Sequence, residues 1–184
     1  MQEPRREPGE GTAGEAPRRL VVGRHAKAEP TAPSDHGRAL AARGRADAEE
    51  AGRWLKETGI DPDAALVSDA LRTQQTWEHL AGAAGWEIDP ELSAGLYAAG
   101  ADSAFDLLRE TDAGVTTLVV IGHNPTMAYI AEHIDDGEGD MEATTVMLTR
   151  GFPTSALAVF AVVGEWSDLG PGGGRLEAFH VGEG

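Results

Sequence analysis

Three short apolar runs, each handing over to a polar turn and then to a helical pattern, limit this chain to a layered α/β fold. Residues 19–23 (RLVVG), 64–68 (AALVS) and 115–121 (VTTLVVI) have strand length, and the last is β-branched almost throughout. Continuous apolar runs of this kind suit strands covered on both faces, as in a parallel sheet. Residues 44–58 read as the first helix. Ala48, Ala51 and Leu55 share a face, Glu49 pairs with Arg53 at i+4, and Gly59 supplies the stop. Further helices are expected over 69–84, ending at Gly85, over 103–110 with Asp102 or Ser103 as cap, and over 125–134. The last has Asn124 as N-cap and Pro125 at its first position. Shorter strands are expected at 86–89, 144–149, 155–163 and, at an edge, 175–181, with an acidic loop over 135–142 and a GPGGG turn over 170–174. Strands alternating with helices make a three-layer α/β sandwich, a mostly parallel central sheet with helices on both faces and right-handed crossovers.

Residues 1–17 hold Pro, Gly and Glu with no apolar period, so they read as a disordered tail ahead of a single domain over 18–184. The absence of cysteine excludes disulfides, thiolate metal sites and cysteine nucleophiles. No stretch approaches the roughly 20 apolar residues of a membrane span and no signal peptide is visible, so a cytoplasmic protein with no membrane partner is expected. A net charge of −16 argues against nucleic acid as a partner. Against that background, residues 18–45 carry seven basic and two acidic groups. Such an island suits an anionic ligand, although Arg38, Arg43 and Arg45 equally suit a solvated helix face.

In α/β sheets ligands bind at the carboxyl ends of the strands. The first strand ends in Arg24-His25. The second ends in Ser68, with Arg72 one helical turn on, and the central strand ends in Gly122-His123-Asn124-Pro125. Two guanidinium groups, two imidazoles and a helix N-terminus on one sheet edge describe a pocket for a tetrahedral dianion. Neutral histidine is also a competent phosphoryl acceptor. His25, beside Arg24, is the better nucleophile, and His123 the better donor to an equatorial oxygen. Ser68 is open to two roles, a helix N-cap and a polar contact to the ligand.

Other features carry no chemistry of their own. His36, His79, His133 and His180 share no spacing and read as surface or capping residues. The loop over 135–142 lacks calcium-loop spacing, and no P-loop is present. Trp54 and Trp77 read as packing residues among alanines. No metal site and no cofactor are expected.

Arg24-His25-Ala26-Lys27-Ala28, the Ser68-Asp69-Ala70-Leu71-Arg72-Thr73-Gln74-Gln75-Thr76 run and Gly122-His123-Asn124-Pro125 resemble the three motifs of the histidine phosphatase superfamily. The RHAKA form, the S-x-A-x-R-T-x-x-T run and the Phe152-Pro153-Thr154-Ser155-Ala156 segment are most similar to the small phosphohistidine phosphatases of the SixA type. The resemblance implies a phosphoglycerate mutase-like fold and a metal-independent phosphatase that forms a phosphohistidine intermediate on His25. Arg24, Arg72 and His123 would hold the transferred group, with Ser68, Lys27 and Asn124 as candidate substrate contacts. Lys27 and Arg38 suit solvent exposure as well. The implied substrate is phosphohistidine on a protein, with inorganic phosphate as product. The alternatives are a small-molecule phosphomonoesterase or nucleotide hydrolase and a non-catalytic module binding phosphorylated ligands.

In the family that the chain resembles, many phosphomonoesterases and mutases carry a glutamate proton donor after the second motif. Here that segment is Glu91-Leu92-Ser93-Ala94-Gly95-Leu96-Tyr97, where Glu91 and the later Asp102 are the nearest carboxylates, each better suited to a turn or cap. A phosphoramidate nitrogen can be protonated by solvent before cleavage, whereas an alkoxide leaving group needs a donor in the site, so a missing acid weighs toward a P–N substrate or an activated ester.

Overall fold

Neighbouring residues of a central strand face opposite ways, and that alternation divides the core of this protein into two layers. The computed structural model describes residues 17–184, so the tail expected over 1–17 lies outside the described residues except for Pro17. Strands β1 (Arg18–Arg24), β2 (Ala64–Ser68), β3 (Glu91–Ser93), β4 (Thr117–Gly122), β5 (Ala156–Val162) and β6 (Gly174–Val181) form one sheet in the order β3-β2-β4-β1-β5-β6. The first four in that order pair in parallel, while β5 and β6 add an antiparallel flank. The helices are α1 (Ala42–Glu57), α2 (Leu71–Ala84), α3 (Ala94–Ala98), α4 (Ala101–Arg109), α5 (Thr126–Ile134) and α6 (Met141–Arg150).

Leu20, Val22, Leu118 and Val120 turn toward Phe105, Leu108, Met127, Ile130 and Ile134 of α4 and α5. Val21, Val119 and Ile121 turn the other way, toward Ala51 and Leu55 of α1 and Trp77 and Leu80 of α2. Burial on both faces explains why these strands lack polar positions, and it yields the α/β sandwich expected from the sequence. The parallel pairing sets Arg24 opposite Gly122 and Val67 opposite Ile121. The carboxyl ends of β1, β4 and β2 therefore stand side by side.

Four local expectations need correction. Residues 144–149 are not a strand but part of α6. The Asp140 carboxylate accepts from the Ala143 N–H as its N-cap, and Thr144, Thr145 and Thr149 return their hydroxyls to carbonyls four residues back. The strand expected at 86–89 forms instead at Glu91–Ser93, because Trp86 is spent on Trp77 and on the Ile60 carbonyl. Gly100, rather than Asp102 or Ser103, stands at the N-cap of α4. Pro125, rather than Asn124, stands at the N-cap of α5. Among the described residues no helix is long and apolar enough to cross a membrane.

Helices α1 and α2 approach closely because Gly52 has no side chain. A Cβ there would lie 2.2 Å from the Leu80 carbonyl oxygen. Overpacking of this kind costs about 1–3 kcal/mol. Gly52→Ala is therefore expected to lower the urea unfolding midpoint by a corresponding amount, and an unchanged midpoint would contradict the helix contact.

Candidate active site

His25 follows β1 directly, and its backbone is held from two sides. Its N–H donates to the Gly122 carbonyl (3.1 Å) and its carbonyl accepts from the Ser155 N–H (3.2 Å). The Ala26 N–H donates to Thr76 Oγ1 (2.9 Å), so α2 pins the same stretch. The imidazole is buried, with Nδ1 2.7 Å from the Ala26 carbonyl oxygen. A carbonyl only accepts, so Nδ1 carries the proton and Nε2 keeps its lone pair. Burial, then the charges of His123, Arg72 and Arg24, lower the His25 pKa to about 3. The ring is therefore neutral at physiological pH.

His123 lies beyond the end of β4, its ring centroid 5.3 Å from that of His25 at an angle of 54°. Its Nδ1 is 3.3 Å from Arg72 Nη2 and its Nε2 is 2.7 Å from Ser68 Oγ. Arginine can only donate, so Nδ1 accepts and Nε2–H donates to the serine. Burial and the neighbouring Arg72 lower the His123 pKa to about 4. Ser68 is fully buried, with Oγ 3.4 Å from the Ala70 N–H. Ala70, rather than Ser68, stands at the N-cap of α2, and the close partner of the serine hydroxyl is His123.

Arg72 sits in the first turn of α2, almost fully buried. It donates to the Asp35 carbonyl (2.8 Å) and to Asp35 Oδ2 (3.1 Å). Arg24 donates from Nη1 to the Phe152 carbonyl (3.1 Å) and has no carboxylate partner among the described residues. Burial lowers its pKa. The Nε atoms of both arginines are buried without a hydrogen-bond partner among the described residues. Two cations, two neutral imidazoles and a single nearby carboxylate leave a site that favours an anion.

The structure thus brings His25, Arg24, Arg72, His123 and Ser68 together. Asn124 is adjacent, but its amide donates to the Phe152 carbonyl (2.7 Å) and accepts from the Ala128 N–H (3.3 Å), so it braces the loop that also anchors Arg24. Lys27 is exposed, and its side chain has no hydrogen bond or ion pair among the described residues. Arg38, Arg43 and Arg45 are taken up by Asp35, Asp47 and the Leu40 carbonyl. Glu91 belongs to an acidic groove of about 410 Å³, with Asp63, Glu110 and Asp112, at the amino ends of β2 and β4. Asp102 stands exposed in the first turn of α4. Among the described residues no cluster of three or more His, Cys, Asp or Glu is arranged to hold a metal.

Sequence reasoning missed three residues. Thr76 joins α2 to the loop after His25, accepting from Ala26 and donating to the Arg72 carbonyl (2.6 Å). Asp35 reaches Arg72 from an exposed loop, and Tyr97 of α3 donates its hydroxyl to Asp35 Oδ2 (2.9 Å) while its ring meets His123 edge-on at 5.4 Å. The second threonine of the S-x-A-x-R-T-x-x-T run was a signal for Thr76. Nothing local marks Asp35.

Unfolded, each imidazole takes up its proton near pH 6.5; folded, His25 and His123 remain neutral to about 3 and about 4. Below pH 6.5 the unfolded state therefore binds protons that the folded state does not, and stability falls as pH falls. Each such group contributes a slope of about 1.4 kcal/mol per pH unit. Over pH 6 to 4, His25→Gln is expected to reduce the pH slope of the unfolding free energy by that amount. A slope equal to wild type in urea titrations would contradict the buried neutral imidazole.

Residues 20–98 match the family model described as histidine phosphatase superfamily (branch 1). An uncharacterised protein of Mycobacterium tuberculosis H37Rv is 37% identical over 159 residues, covering 86% of this chain and 98% of that one. Phosphohistidine phosphatase SixA of Escherichia coli K12 is 31% identical over 130 residues, covering 68% of this chain and 80% of that one. A solved structure of the protein histidine phosphatase SixA complexed with tungstate superposes with a TM-score of 0.71 at 25% identity, covering 89% of this chain and 96% of that one. Sequence, motif order and fold agree: the chain belongs to the histidine phosphatase superfamily, in its SixA-like group.

Proposed function

We propose that this protein removes the phosphoryl group from phosphohistidine on a protein substrate, through a covalent phosphoryl intermediate on His25. The observation that carries this reading is the state of that ring. Its Nδ1–H is held by the Ala26 carbonyl, its Nε2 has no hydrogen-bond partner among the described residues, and its neighbours are His123 and the Arg24 guanidinium, which meets the Phe152 carbonyl but no carboxylate among those residues. The tungstate bound by the related SixA is a tetrahedral oxyanion, the shape this cluster of cations suits.

In the first step the Nε2 lone pair of His25 forms a bond to phosphorus as the bond to the leaving group breaks. Arg24 and Arg72 neutralise charge on the equatorial oxygens. The arriving dianion draws Arg72 away from Asp35 and favours a proton on His123 Nδ1, which turns that ring into a further donor. In the second step water attacks phosphorus, the P–N bond to His25 breaks with its electron pair returning to Nε2, and inorganic phosphate leaves. No metal ion takes part. Asp35 and His36 at the mouth are exposed, which suits a side chain presented by another protein.

Brief mixing with ³²P-phosphohistidine peptide, followed by denaturation in alkali, is expected to leave acid-labile label on the wild-type protein, equally with and without EDTA, and none on His25→Ala. Unlabelled wild-type protein, or label that requires added metal, would overturn the mechanism. Arg72→Ala is expected to lower kcat/KM roughly 30- to 800-fold, about 2–4 kcal/mol of transition-state stabilisation. Unchanged turnover would remove Arg72 from the site.

A further inference from the structure

The carboxylate missing from the segment after the second motif has a counterpart elsewhere in the chain, and its surroundings give it a different task from a proton donor. Asp35 lies in the loop between β1 and α1. Its side chain is 58% exposed, against 6% for the Arg72 side chain that it meets, so it stands on the solvent side of that arginine. Three groups converge on it: Arg72 Nη2 at 3.1 Å and the Tyr97 hydroxyl at 2.9 Å on Oδ2, and Arg38 Nε at 3.0 Å on Oδ1. The loop itself is anchored to the start of α2. Arg72 Nη1 donates to the Asp35 carbonyl, the Leu71 N–H donates to the His36 carbonyl (3.0 Å), and His36 Nε2 lies 3.0 Å from Asp69 Oδ1. Tyr97, which touches both His36 and His123 edge-on, closes the arrangement.

We infer that Asp35 sets the leaving-group preference of the site: its carboxylate, fixed at the mouth, selects phosphoryl donors whose leaving group carries an N–H and a positive charge, N-phosphorylated imidazoles, over phosphate esters. This rests on the proposed phosphatase reaction at His25. Every group that meets the carboxylate donates to it, and the Tyr97 hydroxyl, followed by Arg38 and Arg72, holds its pKa at about 2. At neutral pH it accepts protons in hydrogen bonds and has none to give.

The two substrate classes respond oppositely to such a group. In an ester the leaving oxygen gathers negative charge as the P–O bond lengthens. It needs a proton that Asp35 lacks, and a neighbouring anion makes that charge less favourable. An N-phosphoimidazole protonated on its remote nitrogen has a cationic ring beside its phosphoryl anion, and the ring N–H has an acceptor in Asp35. The P–N bond breaks with its electron pair going to the ring nitrogen, and neutral imidazole leaves with the remote N–H still in place. His25 Nε2 takes the phosphoryl group, and Nδ1–H stays on the Ala26 carbonyl. No proton has to be delivered during the transfer, so an ionised carboxylate that stabilises the protonated donor suffices. Asp35 also competes with the substrate dianion for Arg72, so its removal should strengthen binding of any phosphate group.

The test compares kcat/KM for N-phosphoimidazole and for phenyl phosphate in wild type, Asp35→Asn and Asp35→Glu, using the full chain. Asp35→Asn should lower phosphoimidazole turnover at least tenfold, raise phenyl phosphate turnover and tighten inhibition by orthophosphate. Asp35→Glu, which keeps the charge, should restore most of the wild-type ratio. Equal losses on both substrates would reduce Asp35 to a loop anchor, and a larger loss on the ester would make it a proton donor; either result overturns the inference while the His25 mechanism stands. Wild-type protein that cleaves neither compound would overturn the phosphatase reading, and this inference with it.

Discussion

The hydrogen bond from the His25 N–H to the Gly122 carbonyl carries the parallel pairing of β1 and β4 one residue past the end of the strands. Everything at the site follows from that extension. It holds His25 beside the residue that follows Gly122, which is His123, and it does so with backbone groups that no side-chain substitution removes. The Ser155 N–H takes the His25 carbonyl from the other flank, and Thr76 takes the Ala26 N–H. With those backbone groups satisfied, the Ala26 carbonyl is left for the imidazole, and the tautomer of the ring is decided by the main chain.

Electrostatics builds on the same frame. Burial of the His25 ring, partial burial of His123 and the two guanidinium groups beside them disfavour protonation, so both rings stay neutral and His25 keeps the lone pair that the proposed reaction uses. The chain as a whole carries a net charge of −16, which at long range opposes a phosphorylated partner. Screening limits that opposition to roughly 8–10 Å at physiological salt. Within that distance Arg24 and Arg72 dominate. The acidic groove formed by Asp63, Glu91, Glu110 and Asp112 lies at the other end of the strands, away from the candidate site.

The sheet and the three strand ends were legible in the sequence because they are written in periodicity. A strand buried on both faces has to be apolar, and the residue after it has to be at the carboxyl edge. Residues 144–149 were misread for the opposite reason. A helix rich in threonine looks like a strand until its hydroxyls are seen to bond back to the carbonyls of the preceding turn. Asp35 was invisible because its meaning is wholly tertiary. It meets Tyr97, 62 positions away, and Arg72, 37 positions away, and no local spacing records either encounter. Ser68 shows the intermediate case, since its position at the strand end was readable and its partner His123 was not.

In the proposed reaction the main chain chooses which nitrogen of His25 attacks phosphorus. Phosphorus–nitrogen coupling in ¹⁵N-histidine-labelled protein, trapped after mixing with a phosphoryl donor, reports the bonded atom directly. The phosphoryl group is expected on Nε2 of His25, with Nδ1 still carrying its proton against the Ala26 carbonyl. Phosphorus bonded to Nδ1, or to a ring other than His25, would contradict the account.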